Sequence, residues 1–293
     1  MKLTSTIIIS LIATFLPSTQ AAYRGFNFAA NNADGSCKSV DQWRDSFNRM
    51  KGSPGPFNTA RLYASSDCNT LANAVPAALS TNTKILVGVW TQDDNHFNAE
   101  KQALLSAIQT YGNSWILAVS VGSEDLYRKE ADPNVMAQKI YDVRGMIRAQ
   151  GVNAPVGHVD TWTAWVDGVN DVVTQACDFV GLDGYPYFEA ARIENAGKVF
   201  MRSLRRTRAH TSQVKPGIQV WVTETGWPVS GETFGGVAVA SQQNARSYWR
   251  QLVCSGKLKG VHLFWYVEAD WWVSPSFGMT GSDGKRQYNA AKC

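Results

Sequence analysis

KILVGVW (84–90) and ILAVSVGSE (116–124) flank the stretch FNAEKQALLSAIQTYG (97–112). The outer two are near-continuous apolar runs, as expected of parallel strands covered on both faces. The middle stretch repeats Phe97, Ala99, Leu104, Leu105, Ile108 and Tyr111 at mixed three- and four-residue spacing, which predicts a helix. The alternation extends in both directions. YRGFNFAA (23–30) and TARLYAS (59–65) come before it. APVGHVDT (154–161), FVGLDGYPYF (179–188), IQVWVTET (218–225) and GVHLFWYVE (260–268) come after. Helical patterns at 40–50, 69–80, 163–175, 195–209 and 240–255 fill the gaps. A further helix opens at Asp132-Pro133, with Asp as cap and Pro in the first turn, and stops at Gly151. Eight strands each followed by a helix predict an α/β chain closed into a single-domain (β/α)8 TIM barrel. An open doubly wound sheet is the alternative, but no G-x-G-x-x-G follows the first strand. Only about 20 residues remain after the eighth strand, so the last helix is expected to be short or degraded.

The chain has 293 residues, 44% of them hydrophobic and 18% charged, a composition that excludes a disordered tail and a membrane bundle. A formal charge of +4 with no long Lys/Arg run argues against nucleic-acid binding. Residues 1–21 read as a secretory signal: Lys2, then the apolar run TIIISLIATFL (6–16), then Thr19-Gln20-Ala21 before the cut. The expected domains are therefore 1–21, removed, and 22–293, the barrel. The leader's apolar run is shorter than the roughly 20 residues a membrane span needs, so no membrane partner is expected after its removal. Secretion permits disulfides. Five cysteines leave fifteen arrangements of two bridges and one thiol; proximity along the chain favours Cys37–Cys68 and Cys254–Cys293, with Cys177 reduced. His96, His158, His210 and His262 are scattered and there is no C-x2-C, so no metal and no cofactor is expected. His158 and His262 read as structural.

Barrel chemistry sits at the C-terminal ends of strands. The predicted strands deliver Arg61 and Tyr63, Trp90, Ser123-Glu124-Asp125, Asp160, then Asp183, Tyr185 and Tyr187. The seventh ends in Thr223-Glu224-Thr225-Gly226-Trp227-Pro228, and the eighth carries Trp265, Tyr266, Glu268 and Asp270. Glu124 and Glu224 each close a long apolar strand, where a carboxylate is costly without a task or a partner. Two carboxylates facing across a barrel mouth are the machinery of glycoside hydrolysis.

IQVWVTETGWP (218–228) resembles the signature of glycoside hydrolase family 17, the β-1,3-glucan-acting enzymes of plants and fungi. VGSEDLYR (121–128), GYPYF (184–188) and ARLYASSDC (60–68) resemble that family's strand-four, strand-six and strand-two segments, in order along the mature chain. The resemblance implies a retaining mechanism with Glu224 as nucleophile and Glu124 as acid/base, about 5–5.5 Å apart. Arg61 and the Tyr185 hydroxyl are expected to stabilise the Glu224 anion, whose charge raises the pKa of Glu124. Where many relatives carry Asn before the acid/base, this chain has Ser123; where they carry a small polar residue after TETGWP, it has Val229. The run YVEADWWVSPSFG (266–278) also departs from the fungal pattern, although Glu268 stands where relatives keep a carboxylate.

The substrate-binding candidates are Arg61, Tyr63, Ser123, Asp183, Tyr185, Tyr187, Trp227, Glu268 and Trp271. Trp227, Trp271, Trp272, Tyr185 and Tyr187 are candidate sugar platforms, and Asp160 and Asp183 candidates for gripping hydroxyls or bracing Arg61. Trp221, inside strand seven, reads as core. The expected function is a secreted, monomeric retaining hydrolase cleaving internal β-1,3-glucan linkages. A β-1,3-glucanosyltransferase sharing the same intermediate is the alternative, and a non-catalytic glucan-binding wall protein on the same scaffold the third reading.

Overall fold

The computed structural model of the protein describes residues 22–53 and 55–290. The expected leader and Cys293 lie outside the described residues. Eight parallel strands close in chain order: β1 (Arg24–Asn27), β2 (Phe57–Arg61), β3 (Lys84–Val89), β4 (Ile116–Val121), β5 (Val156–Thr161), β6 (Phe179–Asp183), β7 (Gln219–Thr225) and β8 (Leu263–Trp265). The ring is sealed by β1 against β8, with Arg24, Gly25 and Phe26 opposite Leu263, Phe264 and Trp265. The barrel is the closed alternative of the two topologies open to the sequence.

Outside the ring run α1 (Val40–Lys51), α2 (Thr70–Ser80), α3 (Asp94–Tyr111), α4 (Pro133–Ala149), α5 (Trp162–Trp165), α6 (Asp171–Ala176), α7 (Ile193–Val214) and α8 (Gln242–Trp249). Local chemistry sets several starts. Ser39 and Gln42 form a reciprocal capping box on α1. Asp93 caps α3 by accepting from the His96 amide, which begins that helix three residues before its apolar periodicity. Asp132 caps α4 as its sequence predicts.

The helix expected over 163–175 is instead broken into α5, a 3-10 turn at Gly168–Asn170 and α6. The Asp167 carboxylate accepts from the Val169 amide and restarts the chain there. The pattern at 240–255 is helical only through Trp249, and Arg250–Cys254 widens into a π turn. After β8 no helix follows among the described residues, in keeping with the short remaining length.

The barrel floor is apolar: Leu86, Leu117, Ala118, Phe179, Trp221 and Phe264 fill its lower interior, with Trp221 stacked on Phe179 at 4.2 Å. The larger core lies between strands and helices. Closing the floor with hydrocarbon leaves the upper interior as the place where polar side chains gather. Gly88 on β3 allows a close approach on that side, because a Cβ there would sit 2.2 Å from the Tyr63 carbonyl oxygen.

Cys37 and Cys68 are bonded, closing a span of 31 residues that ties the β1 loop to the start of α2. Cys177 is free and buried. Cys254 is also disulfide-bonded, but the pairing with Cys293 lies outside the described residues. Replacing Cys37 and Cys68 together by Ser is expected to cost about 3–4 kcal/mol through the freed denatured chain. The check is the urea midpoint under non-reducing conditions.

Candidate active site

Arg61, at the end of β2, is fully buried at the centre of the upper barrel. Its Nη1 donates to Asn27 Oδ1 at 2.9 Å and ion-pairs with Glu224 Oε1. Its Nη2 donates to Ser123 Oγ at 3.0 Å, and the guanidinium lies over the Tyr63 ring at 4.6 Å. Burial works against the Arg61 charge, but its surroundings, the Glu224 carboxylate first among them, outweigh it, so the guanidinium holds its proton more tightly than usual. Asn27 is itself fixed by donating to the Thr223 carbonyl on β7 at 3.0 Å. A planar fork with several donors serves three partners at once, which a lysine ammonium does not match.

Glu224 sits on β7, buried, and its second oxygen accepts from the Tyr185 hydroxyl at 2.5 Å. Glu124 follows β4 on a turn that its sequence prepares. Gly122 takes φ +75°, where a Cβ would meet the Asp125 carboxylate at 2.3 Å. Glu124 itself has φ +61°, a left-handed conformation costing a non-glycine residue roughly 1–2 kcal/mol. The strained turn is anchored on all sides. The Glu124 amide donates to the Val159 carbonyl at 2.9 Å, and the Ser123 amide to Asp125 at 2.6 Å. Asp160 accepts from the Leu126 amide and from His158. Backbone strain held by so many contacts marks a residue whose direction matters.

The Glu124 carboxyl is half-buried and ion-paired with Arg128 at 2.9 Å. Burial, then the charges of Glu224 and Asp160, raise its pKa to about 7, against the opposing pull of Arg128 and Arg61. Glu124, Asp183 and Glu224 each place one carboxyl oxygen within 4.8 Å of the other two. Arg61 already occupies one oxygen of Glu224, so a cation of the chain's own answers that carboxylate. A second acidic cluster, Asp67, His96 and Glu100, lies near Cys68; Glu100 there is saturated by the amides of Ser65, Ser66 and Trp90.

The two glutamates open onto a cleft of about 600 Å³. Of the residues expected from sequence, Arg61, Tyr63, Ser123, Glu124, Asp183, Tyr185 and Glu224 come together at this end of the barrel. Tyr187 and Trp227 do not. Both are buried, Tyr187 donating to the Glu232 carbonyl and Trp227 to the Val239 carbonyl, with their rings packed against each other. Their faces are spent on the wall behind β6 and β7, so they are not sugar platforms.

Glu268 is also displaced from the expected role. It is buried and paired with Arg49 of α1 at 2.9 Å, away from the cleft. Trp271 is half-exposed and meets Trp272 edge to face at 4.7 Å, but neither lines the cleft. Asp270 is the cause: it accepts from the amides of Phe277 and Gly278 and from Ser276 Oγ, folding the loop so that Pro275 and Phe277 face the site.

The aromatic lining that sequence reading missed is Tyr127, Trp162, Phe188 and Phe277, beside Tyr266, which the eighth strand was expected to deliver. Trp162 directly follows β5 and Tyr127 stands three residues after Glu124, so the strand-end rule had the means to find them. Phe277 lies far along an irregular loop and carries no local signal. His158 is buried between the Val121 carbonyl and Asp160, and His262 accepts from the Tyr23 amide; both are structural, as expected.

Two carboxyls with oxygens within 4.8 Å at the C-terminal mouth of a barrel are the kind of pair that glycoside hydrolysis uses. The class that barrel and pair point to is a glycoside hydrolase. Residues 25–282 match the BtgE/BtgC glycoside hydrolase domain, and the chain belongs to that family. A probable glucan endo-1,3-beta-glucosidase of Aspergillus fumigatus is 40% identical over 92% of this chain and 65% of its own length. The chain thus spans slightly less than two thirds of that relative. A glucan 1,3-beta-glucosidase of Schizosaccharomyces pombe is 34% identical, covering 93% of this chain and 88% of that one. The crystal structure of the glycoside hydrolase family 17 beta-1,3-glucanosyltransferase of Rhizomucor miehei superposes with a TM-score of 0.79 at 27% identity, over 92% of this chain and 98% of that one. An active-site mutant of that transferase in complex with laminaritriose gives 0.78 at 28% identity, over 90% and 95%.

Proposed function

We propose that the protein cleaves internal linkages of β-1,3-glucan with retention of configuration. The observation that carries this reading is the unequal environment of two carboxyls within 4.8 Å of each other. Glu224 faces a buried arginine and a tyrosine hydroxyl, which suits an anion; Glu124 is desolvated beside that anion, which suits a proton. Glu224 attacks the anomeric carbon while Glu124 gives its proton to the departing glycosidic oxygen. The glycosyl ester removes the Glu224 charge, the Glu124 pKa falls, and Glu124 then takes the proton of the incoming water. The second attack restores the β configuration. The names of the relatives support β-1,3-glucan as the substrate.

The direct test is digestion of laminarin followed by proton NMR at early times. New reducing ends appearing first as the β anomer support the reading; first appearance as α, or no release, overturns it.

The same intermediate serves a transferase when a sugar outcompetes water. The half-exposed rings of Tyr127 and Phe188 beside the cleft, and the likeness to a glucanosyltransferase, favour examining this second reading. Laminari-oligosaccharides of one length, followed over time, separate the two, because only transfer yields products longer than the input.

The acid's environment predicts the pH profile. Glu124 must be protonated for the first step, so kcat/KM falls as pH rises through about 7. Arg128 favours the ionised form, and its removal raises the Glu124 pKa. Arg128→Gln is therefore expected to move the alkaline limb upward by roughly half a unit to one unit, a partly exposed pair being screened by solvent. Rate profiles from pH 4 to 9 read this out, and an unmoved or lowered limb contradicts it.

Residues 1–21 are proposed to be a leader removed on secretion, and the mature chain to act outside the cell or in the wall, as a monomer. The Cys37–Cys68 bond suits an oxidising compartment. No helix among the described residues is long and apolar enough to cross a membrane. Mass determination of protein recovered from a culture medium, and its elution volume, test these points.

A further inference from the structure

The upper barrel holds three carboxyls and one buried cation. Asp183 closes β6, opposite Glu224 in the β6–β7 register. It is buried, and it lines the cleft. Its Oδ1 accepts from Thr223 Oγ1 at 2.8 Å, while its Oδ2, also buried, has no partner among the described residues. The Arg61 amino groups are taken by Glu224, Asn27 and Ser123, and Arg128 pairs at the rim with Glu124 and Glu130. A third anion in this place would carry a bare buried oxygen beside two other carboxyls, with no cation in contact. A protonated carboxyl removes the extra charge and turns the bare oxygen into a hydrogen-bond donor on a residue that lines the cleft.

We propose that Asp183 works as a neutral carboxylic acid, donating its Oδ2–H to a hydroxyl oxygen of the sugar bound between Glu124 and Glu224. The inference rests on the glucan-cleaving reading above and adds a third functional carboxyl to it. The proton stays on Asp183 through both displacements, so no bond to it is made or broken. The charged and titratable groups facing Asp183 are Glu224 from β7, Glu124 after β4, Arg61 from β2, and the phenols of Tyr63 and Tyr185. Burial, then Glu224, push its carboxyl well above the usual range; Arg61 and the Thr223 hydroxyl pull the other way and do not prevail. Keeping Asp183 neutral also leaves Glu224 as the anion that answers Arg61.

Two variants and one spectrum test this. Asp183→Asn keeps a neutral donor of the same shape; Asp183→Ala removes it. Asp183→Asn is expected to lower kcat/KM less than about tenfold and to leave the alkaline limb in place. Asp183→Ala, with unchanged circular dichroism, is expected to lose on the order of a hundredfold, as when one positioned donor is deleted. An anionic Asp183 would instead raise the Glu124 pKa, so Asp183→Asn would shift the alkaline limb downward by half a unit or more; that result overturns the proposal. A loss in Asp183→Asn as deep as in Asp183→Ala overturns it as well.

The independent readout is infrared difference spectroscopy at pH 8 in the Glu124→Gln background. The protonated-carboxyl stretch is expected in Glu124→Gln and absent from Glu124→Gln/Asp183→Asn. An unchanged band, or no band in Glu124→Gln, overturns the protonation state. Because this measurement needs no turnover, it reports on Asp183 even if laminarin proves not to be cleaved, which would be a failure of the functional reading alone.

Discussion

Glu224→Gln is expected to fold into the same barrel and to lose at least about 10⁴-fold in kcat/KM on laminarin, because deleting a covalent nucleophile removes the route rather than slowing one step. The amide keeps the shape and can still meet Tyr185, but it cannot form the glycosyl ester. Arg61 then keeps Asn27 and Ser123 as neutral partners. Glu124→Ala is expected to behave differently. It loses roughly 10²–10⁴ on laminarin, where the leaving sugar needs a proton, and much less on an aryl glycoside whose leaving group departs unaided. Added azide, which attacks without giving up a proton, should accelerate that variant and yield the β-glycosyl azide. Exchange of these two behaviours between Glu124 and Glu224 would reverse the assigned roles; substantial laminarin activity in Glu224→Gln would remove them.

Arg61→Leu is expected to show the largest loss of stability. The leucine fills part of the volume but leaves Glu224 buried without its cation, and Asn27 Oδ1 and Ser123 Oγ without their donor. Breaking a buried pair from one side costs about 3–5 kcal/mol, mostly as the penalty of the stranded charge. The double variant Arg61→Leu/Glu224→Gln should recover part of that loss, since the stranded charge is gone. Denaturant unfolding of the two singles and the double measures the coupling. Strict additivity would show that the Arg61–Glu224 contact contributes nothing of its own. Arg61→Lys should not sustain activity, because a compact ammonium does not reproduce the planar fork that spans Asn27, Glu224 and Ser123.

The strands and the two candidate acids, Glu124 and Glu224, are legible along the chain for the same reason. A buried parallel strand must be apolar over its whole length, so VWVT before Glu224 and ILAVSV before Glu124 stand out, and so does a carboxylate at the end of either. The Asp132 cap made the start of α4 equally readable. The helix expected over 163–175 was lost to Asp167, whose side chain hydrogen-bonds the backbone locally and ends one segment before the next begins.

What the chain by itself determined was an eight-fold strand–helix alternation with two acids at strand ends. What only the tertiary structure decided was which neighbouring rings line the cleft and which meet the core. In GYPYF, Tyr185 reaches Glu224, Tyr187 turns into the wall and Phe188 is left half-exposed, although all three are aromatic and lie within four positions. Glu268 and Glu224 are both acids near strand ends, yet one meets Arg49 of α1 and the other Arg61 inside the barrel. Asp183 differs from them again, having no cation in contact among the described residues. Strand periodicity assigns a side chain to a face only while the strand lasts. Beyond its end, direction depends on loop path and on partners brought from distant parts of the chain, and these exist only once the ring has closed.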